Sequence, residues 1–249
     1  MIRPAATLCV LRPGEAGLEV LMVRRATGSA FVGGAHVFPG GAVEDVDRGS
    51  LAARAVRGAP SQTMRPWMAA ALRETAEEAG VWITDPGLDE TSAGRLVGVR
   101  GAELYLGLLE TGRVFDAASV AYLSNWVTPD GPPRRFDTRF FVASVPGGTS
   151  AAPDAEEITD AHWVRPAEAL ERWKSDEWDL IVPTLKHLEL LSRFSFPDQV
   201  MAYARRQPAV PRVEPRLVRD EEGAWRVVLP GEPGYAAGNV PATSEGRSS

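Results

Sequence analysis

The sequence predicts an α/β (α+β) protein, a mixed β-sheet sandwiched between helices, with additional C-terminal helices and a small hairpin. Three observations lead there: two adjacent β-rich runs at the start, one long run of helix formers after a glycine-rich loop, and an irregular later alternation of helix and strand patterns with no βαβ period. With 249 residues, 44% of them hydrophobic, the chain is long enough to bury a substantial core without disulfide staples.

In chain order, "AATLCVL" and "LEVLMVRR" are strand-like runs separated by the Pro/Gly turn "RPGEAG", and they read as a hairpin or as near neighbours in one sheet. The stretch "GSAFVGGAHVFPGGAVEDVD" places Gly28, Gly33, Gly34, Gly40 and Gly41 among short apolar pairs, a composition suited to sharp bends and close approach. It carries neither a P-loop ending nor dinucleotide-fold spacing. Residues 66–79, "PWMAAALRETAEEA", read as a helix with an early proline and Gly80 as its stop. Residues 102–111, 118–126, 166–173, 182–194 and 197–206 read as helical, and 135–145 and 157–164 as strands. Past Pro208 the composition turns to proline, glycine and charge. Residues 1–207 are expected to form one domain, and 208–249 an extension holding a hairpin and a disordered tail, "ATSEGRSS".

Composition narrows the function. There are 27 basic and 33 acidic residues, a net charge of −6, and no block of five basic residues, so binding to nucleic acid is not expected. The apolar run at the N-terminus is broken by Pro4, Pro13 and Gly14, and no membrane segment or export signal is expected. A lone cysteine, Cys9, sits in a strand core, which fits a reducing cytoplasmic setting rather than thiol catalysis.

The chemistry concentrates in "RETAEEAG". On a helix, Glu74 neighbours Glu77 and Glu78 on one face, and each like-charge contact costs about 0.2–0.5 kcal/mol when exposed. A solvated acidic stripe next to Arg73 absorbs that cost. The glycine loop upstream adds a second possibility, since a bending backbone offers carbonyl oxygen to a hard cation beside carboxylates, as Mg²⁺ prefers. No Cys/His set suits Zn²⁺.

"GGAVEDVD" followed by "RETAEEAGV" resembles the loop-helix signature of Nudix hydrolases. Gly41 and, after five intervening residues, Asp47 fall in place, as do Arg73, Glu74, Glu77, Glu78, Gly80 and Val81. Asp47 stands where the signature has glutamate, and Thr75 where it has an aliphatic residue. Residues 48–65 are an insertion within the box, which costs little closure entropy because each doubling of a loop adds only about 0.6 kcal/mol. "GAHVFPGG", the split box, "SNWVTP", "RRFDTRFF" and "LPGEPGY" resemble the nucleoside diphosphate-linked moiety X motif 19 type, a group that includes CoA and acyl-CoA diphosphatases. The likeness runs over about residues 5 to 235.

That resemblance implies a Nudix fold and a Mg²⁺- or Mn²⁺-dependent hydrolysis of a diphosphate linkage. The substrate it implies is CoA or acyl-CoA, or else NADH, ADP-ribose or a nucleotide sugar, and a non-catalytic nucleotide-binding module is the other reading. It implies metal ligation by Glu74, Glu77, Glu78 and the Gly40 carbonyl, with Arg73 orienting the glutamates and Glu74 or Glu77 as general base. Glu157, with Glu156 as the alternative, is the candidate for a further carboxylate. Arg24, Arg25, Arg134 and Arg135 are candidate phosphate contacts, since guanidinium forks bind phosphate oxygens in pairs. His36 is expected near the metal loop or as a structural histidine. Phe136, Phe140, Phe141, Trp126 and Trp163 are expected in the core first and as ligand platforms second. The helix around "LKHLELLSRF" and the late hairpin are the candidate surface for a homodimer.

Overall fold

The structure, a computed structural model, describes residues 1–28, 32–220 and 223–236. The expected tail, 242–249, lies outside the described residues. Strands β1 (Ile2–Gly14) and β2 (Gly17–Arg25) form the expected antiparallel hairpin, closed by Gly14 opposite Gly17. The glycine-rich stretch then gives two short strands, β3 (His36–Val37) on β2 and β4 (Gly40–Ala42) on β1.

The insertion folds instead of looping out. It begins at Arg48, the last residue of α1 (Asp45–Arg48), and contains α2 (Ser50–Ala55) and β5 (Val56–Arg57), before the chain enters α3 (Arg65–Ala79). Pro66 starts α3 and Gly80, in the left-handed conformation, ends it. Next come β6 (Thr84–Asp85), α4 (Glu90–Leu96), α5 (Gly101–Glu110) and β7 (Val114–Asp116); β5, β7 and β6 pair as a small three-stranded sheet.

The remaining elements are β8 (Val120–Val127), β9 (Arg135–Ser144), β10 (Ile158–Val164), α6 (Pro166–Lys174), α7 (Val182–Leu191), α8 (Pro197–Arg206) and β11 (Arg212–Val213). They are followed by the hairpin β12 (Arg216–Arg219) with β13 (Trp225–Val228).

The main sheet runs β10-β2-β1-β9-β8-β11, parallel only at β1–β9 and β8–β11. One core fills the space between the sheet and α2, α3 and α5, with Leu8, Val10, Leu21, Ala71, Leu72, Tyr105 and Phe141 buried in it. A second core lies under α6, α7 and α8, around Met22, Phe140, Trp126, Leu188 and Val200. The expected sandwich of helix, mixed sheet and helix is the observed one.

One element is corrected. Residues 118–126, expected to be helical, contain a short 3₁₀ turn and then β8, which lies between β9 and β11. Nearly every residue of β8 is buried, because helices cover both faces of the sheet, so the strand shows no alternation and its apolar run looks like a buried helix. The helix expected over 182–194 also stops earlier, at Leu191. Its apolar stripe, Leu188 and Leu191, packs into the second core. Among the described residues, no helix is long and apolar enough to cross a membrane.

Candidate metal and diphosphate site

The site is built where α3 crosses β4. Gly40 pairs with Thr7 and Gly41 with Ala6 on β1, which presses the glycine backbone against the last two turns of the helix. A side chain is excluded there: a Cβ on Gly41 would sit 2.5 Å from Glu74 Oε1, and one on Gly40 would sit 2.4 Å from the Ala6 carbonyl oxygen. Gly40 also has φ of +156°, strained for any other residue. Its amide donates to Glu78 Oε2 at 2.9 Å. So the glycine loop and the acidic helix do meet, and the contact seen is through the Gly40 N–H.

The box carboxylates divide into two environments. Asp47 is buried, and its Oδ1 accepts from Arg73 Nε at 2.8 Å and from the Tyr105 hydroxyl at 2.6 Å. Its Oδ2 accepts from Arg73 Nη2 at 2.9 Å and from the Glu44 amide at 2.8 Å, so α1 is capped by the same group. The aspartate at the position of the usual glutamate thus anchors Arg73 with both oxygens. The insertion leaves from this anchor and returns through α3, so the box is closed across it by hydrogen bonds.

Arg73 Nη1 in turn reaches Glu74 Oε1 and Glu77 Oε2, each at 2.9 Å. Burial alone would lower the Arg73 pKa, but the Asp47 hydrogen bond and the charges of Glu74, Asp47 and Glu77 outweigh it and keep the guanidinium charged. Glu77 has its other oxygen held by the Gly101 amide at 2.7 Å, at the N-terminus of α5. It is tied to the scaffold on both sides.

Glu74 and Glu78 are the acids left short of positive partners. Burial pushes the Glu74 carboxyl up to about 7, opposed by Arg73 and reinforced by the charge of Glu77. Glu78 is raised well above the ordinary carboxylate range by burial and then by the charge of Glu74, with the Gly40 amide and Arg25 offsetting only part. Arg25 Nη1 lies 3.9 Å from Glu78 Oε1, and its Nε is buried without a partner, a donor in reserve beside the acids.

Thr75, at the aliphatic position of the box, is fully buried and turns its hydroxyl onto the Ala71 carbonyl at 2.7 Å, so its polar atom is satisfied within the helix.

Glu157 sits just ahead of β10. Its carbonyl accepts from the Ala26 amide, one residue past β2, and its charge acts on Glu78. Both candidates are exposed, Glu156 at 80% of its side chain and Glu157 at 56%. The other arginines lie elsewhere. Arg24 is exposed and opposes His36 and Asp160, Arg135 is paired with Asp130 and Thr128, and Arg134 is exposed. No ion pair or hydrogen bond joins any of the three to a box carboxylate among the described residues. His36 is buried and stacks on Trp178 with ring centroids 4.0 Å apart. Phe140, Phe141 and Trp126 are core residues, as expected.

Two contributors escaped the sequence reading, Tyr105 and Arg100. The first was counted only as part of a helix, and nothing in "AELYLGLLET" marks one residue as a partner for Asp47 some 58 positions away. Arg100 lies in a loop without a motif and binds Asp154 Oδ2 at 2.5 Å.

The donor set suits a hard divalent cation. Among the described residues no three of His, Cys, Asp and Glu stand together as a complete metal cage. Mg²⁺ does not require one, since it is commonly bound by one or two carboxylates, with waters and substrate phosphate oxygens filling the shell. Buried Glu78 and half-buried Glu74, mutually repelling and set against the Gly40–Gly41 backbone, provide that arrangement, and a cation there would relieve both raised pKa values.

Comparison with known proteins agrees with this geometry. The family description NUDT19 Nudix domain matches residues 60–191, more than half of the chain. The chain is 30% identical over 240 residues to the acyl-coenzyme A diphosphatase NUDT19 of Gallus gallus, covering 73% of this chain and 63% of that protein. It is 26% identical to the Xenopus laevis protein of the same name over 87% of this chain and 71% of the relative. Among solved structures, a NUDIX hydrolase from Alicyclobacillus acidocaldarius aligns with a TM-score of 0.70 and 32% identity, over 81% of this chain and 96% of that one. The chain thus spans somewhat less than two thirds of the length of the chicken relative. With the box residues placed as described and the family match extending over residues 60–191, from α3 through α7, this chain belongs to the Nudix family, in its NUDT19 Nudix domain group.

Proposed function

We infer that this chain is a Mg²⁺- or Mn²⁺-dependent diphosphatase whose substrate is CoA or an acyl-CoA, giving a 4′-phosphopantetheine derivative and adenosine 3′,5′-bisphosphate. The observation that carries the reading is the pair Glu74 and Glu78, half-buried and buried against the Gly40–Gly41 strand with too few cations of the protein's own. The choice of CoA rests on the names of the relatives. A divalent ion bound there would supply charge neutralisation at the diphosphate oxygens and a more acidic water.

The protein's own groups do the positioning. Arg73 fixes Glu74 and Glu77 from one side while anchored on Asp47. Arg25, whose Nη1 lies 3.9 Å from Glu78 Oε1, is the best placed of the predicted arginines to receive a phosphate oxygen. Glu74, raised toward neutrality by burial, is the candidate to take the proton from the attacking water. Glu77, with both oxygens engaged, supports the site and Glu78 holds the metal side. The carbonyl of Gly40 and Glu157 complete the proposed ligand set. Because phosphoryl transfer is mainly a matter of positioning and electrostatics, no covalent nucleophile is required. We read the setting as cytoplasmic, with no nucleic-acid partner, from the lone buried Cys9 and the net negative charge.

The test is a mass-spectrometric screen of CoA, acyl-CoA, NADH, ADP-ribose and a nucleotide sugar, each with and without Mg²⁺ or Mn²⁺. Metal-dependent release of phosphopantetheine supports the reading. Turnover of only another diphosphate moves the substrate, and turnover of none with tight binding of one leaves a binding module.

A further inference from the structure

The turn that carries Glu157 is organised by the side chain of its own first residue, Asp154, and by one arginine from another part of the fold. Asp154 Oδ1 accepts three consecutive amides, from Glu156, Glu157 and Ile158, at 2.9, 3.0 and 2.9 Å. This wraps the turn around one carboxylate oxygen. The other oxygen, Oδ2, is held by Arg100 Nη2 at 2.5 Å, and Arg100 Nη1 stands 3.6 Å from Glu157 Oε1. The turn is also pinned to the end of α3, through the Asp154 amide on the Glu78 carbonyl and the Ala152 amide on the Ala79 carbonyl.

Arg100 is the residue just before α5, and the next amide along, Gly101 N–H, is the one that holds Glu77 Oε1. One two-residue step therefore touches Glu77 through its backbone and the Glu157 turn through its side chain. A planar fork with several donors suits this role, because Asp154, Glu156 and Glu157 all approach the same guanidinium. Left without Arg100, three acids of a short turn would repel one another beside the charge of Glu78.

We propose that Arg100 is a positioning residue that holds the 154–158 turn so that Glu157 faces the Glu74/Glu78 pair, while the adjoining Gly101 amide holds Glu77 Oε1. This rests on the diphosphatase reading for its link to turnover, and on geometry alone for its link to the turn. Arg100 touches no reacting atom; it acts through Asp154 and Glu157.

Three measurements test it on the full chain. Arg100→Ala is expected to speed amide exchange at 156–158, to weaken binding of Mn²⁺ alone by about 10- to 100-fold in titration calorimetry, and to lower kcat on acyl-CoA by a similar factor with KM little changed. The Arg100→Ala/Glu157→Gln double variant should be no slower than Glu157→Gln alone, because the arginine works through that carboxylate. Asp154→Asn, which keeps the amide acceptor and loses the charge, should show the same pattern more weakly and covers the case of a poorly folded Arg100→Ala. Unchanged exchange and Mn²⁺ uptake in both variants, or an equal further loss of kcat on the Glu157→Gln background, overturns the proposal. If the unaltered protein turns over no diphosphate while exchange and Mn²⁺ uptake still depend on Arg100, the diphosphatase reading falls and the positioning role stands.

Discussion

The two faces of the main sheet bury polar groups in opposite ways. Under α7, His187 is neutral and satisfied: its Nδ1–H donates to the Pro183 carbonyl at 2.6 Å, its Nε2 accepts from the Ser124 hydroxyl at 2.6 Å, and its ring stacks on Phe140 at 4.2 Å. Under α3 the buried groups are charged and unequal. Asp47 has four donors, whereas Glu74 and Glu78 share Arg73, Arg25 and one backbone amide between them. Burial without partners is expensive, so a chain keeps such a defect only where something else is expected to fill it. The contrast separates acids that hold the fold from acids held ready for a cation.

The sharpest way to break that contrast is Arg73→Ala. It leaves Asp47 as a buried anion without its fork and should cost about 3–5 kcal/mol in urea unfolding, together with activity. A loss below about 1 kcal/mol would show that Asp47 is not the anchor. On the other face the effect is one of pH. Burial lowers the His187 pKa from 6.5 to about 4, so the unfolded chain binds a proton that the folded one refuses. Stability is then fully present above pH 6.5 and falls as pH drops toward 4, by roughly 3 kcal/mol in total from this group. His187→Gln should flatten that part of the profile in thermal unfolding from pH 7 to 4; an unchanged slope would assign the acid sensitivity to other groups.

Glu78→Gln comes next, with an expected fall in kcat on the order of 100-fold, and an unfolding midpoint in metal-free buffer that is equal or higher because an unpartnered charge is gone. Glu77→Gln should lose less turnover and more stability, since its carboxylate is tied to Arg73 and Gly101. The reverse ranking in paired kinetics and denaturation would exchange the roles of the two glutamates.

Much of this arrangement is legible in the residues themselves. The 3- and 4-residue spacing of Glu74, Glu77 and Glu78, the early Pro66 and the terminal Gly80 mark α3, and the β1–β2 hairpin follows from its turn residues. What sequence could not show is of two kinds. Strand β8 is hidden because burial on both faces removes alternation, which periodicity needs. The division of labour among the glutamates is hidden because it depends on partners far along the chain, Gly101 for Glu77, Gly40 for Glu78 and Arg100 for Glu157. Gly101 and Arg100 have no local signal, and Gly40 stands out only as part of the glycine-rich loop. The insertion follows directly on Asp47, whose two oxygens hold Arg73 on its far side, so the residue that departs from the signature is also the one that closes the gap.

The smallest expected effect probes that closure most finely. Tyr105→Phe removes one hydroxyl, 2.6 Å from Asp47 Oδ1, and leaves the ring in the core beside Phe115. Asp47 would keep the Arg73 fork and the Glu44 amide, so the loss should be about 1.5 kcal/mol, the size of one hydrogen bond to a charged group. Turnover should follow only as far as Arg73 shifts, because the phenol has no contact with Glu74 or Glu78 among the described residues. A double-mutant cycle with Arg73→Ala then reads the coupling: if the two losses simply add, Tyr105 and Arg73 bear on Asp47 independently. If the second loss vanishes once the first is made, the three residues act as one anchor, and the insertion is fastened to α5 as firmly as to the box helix.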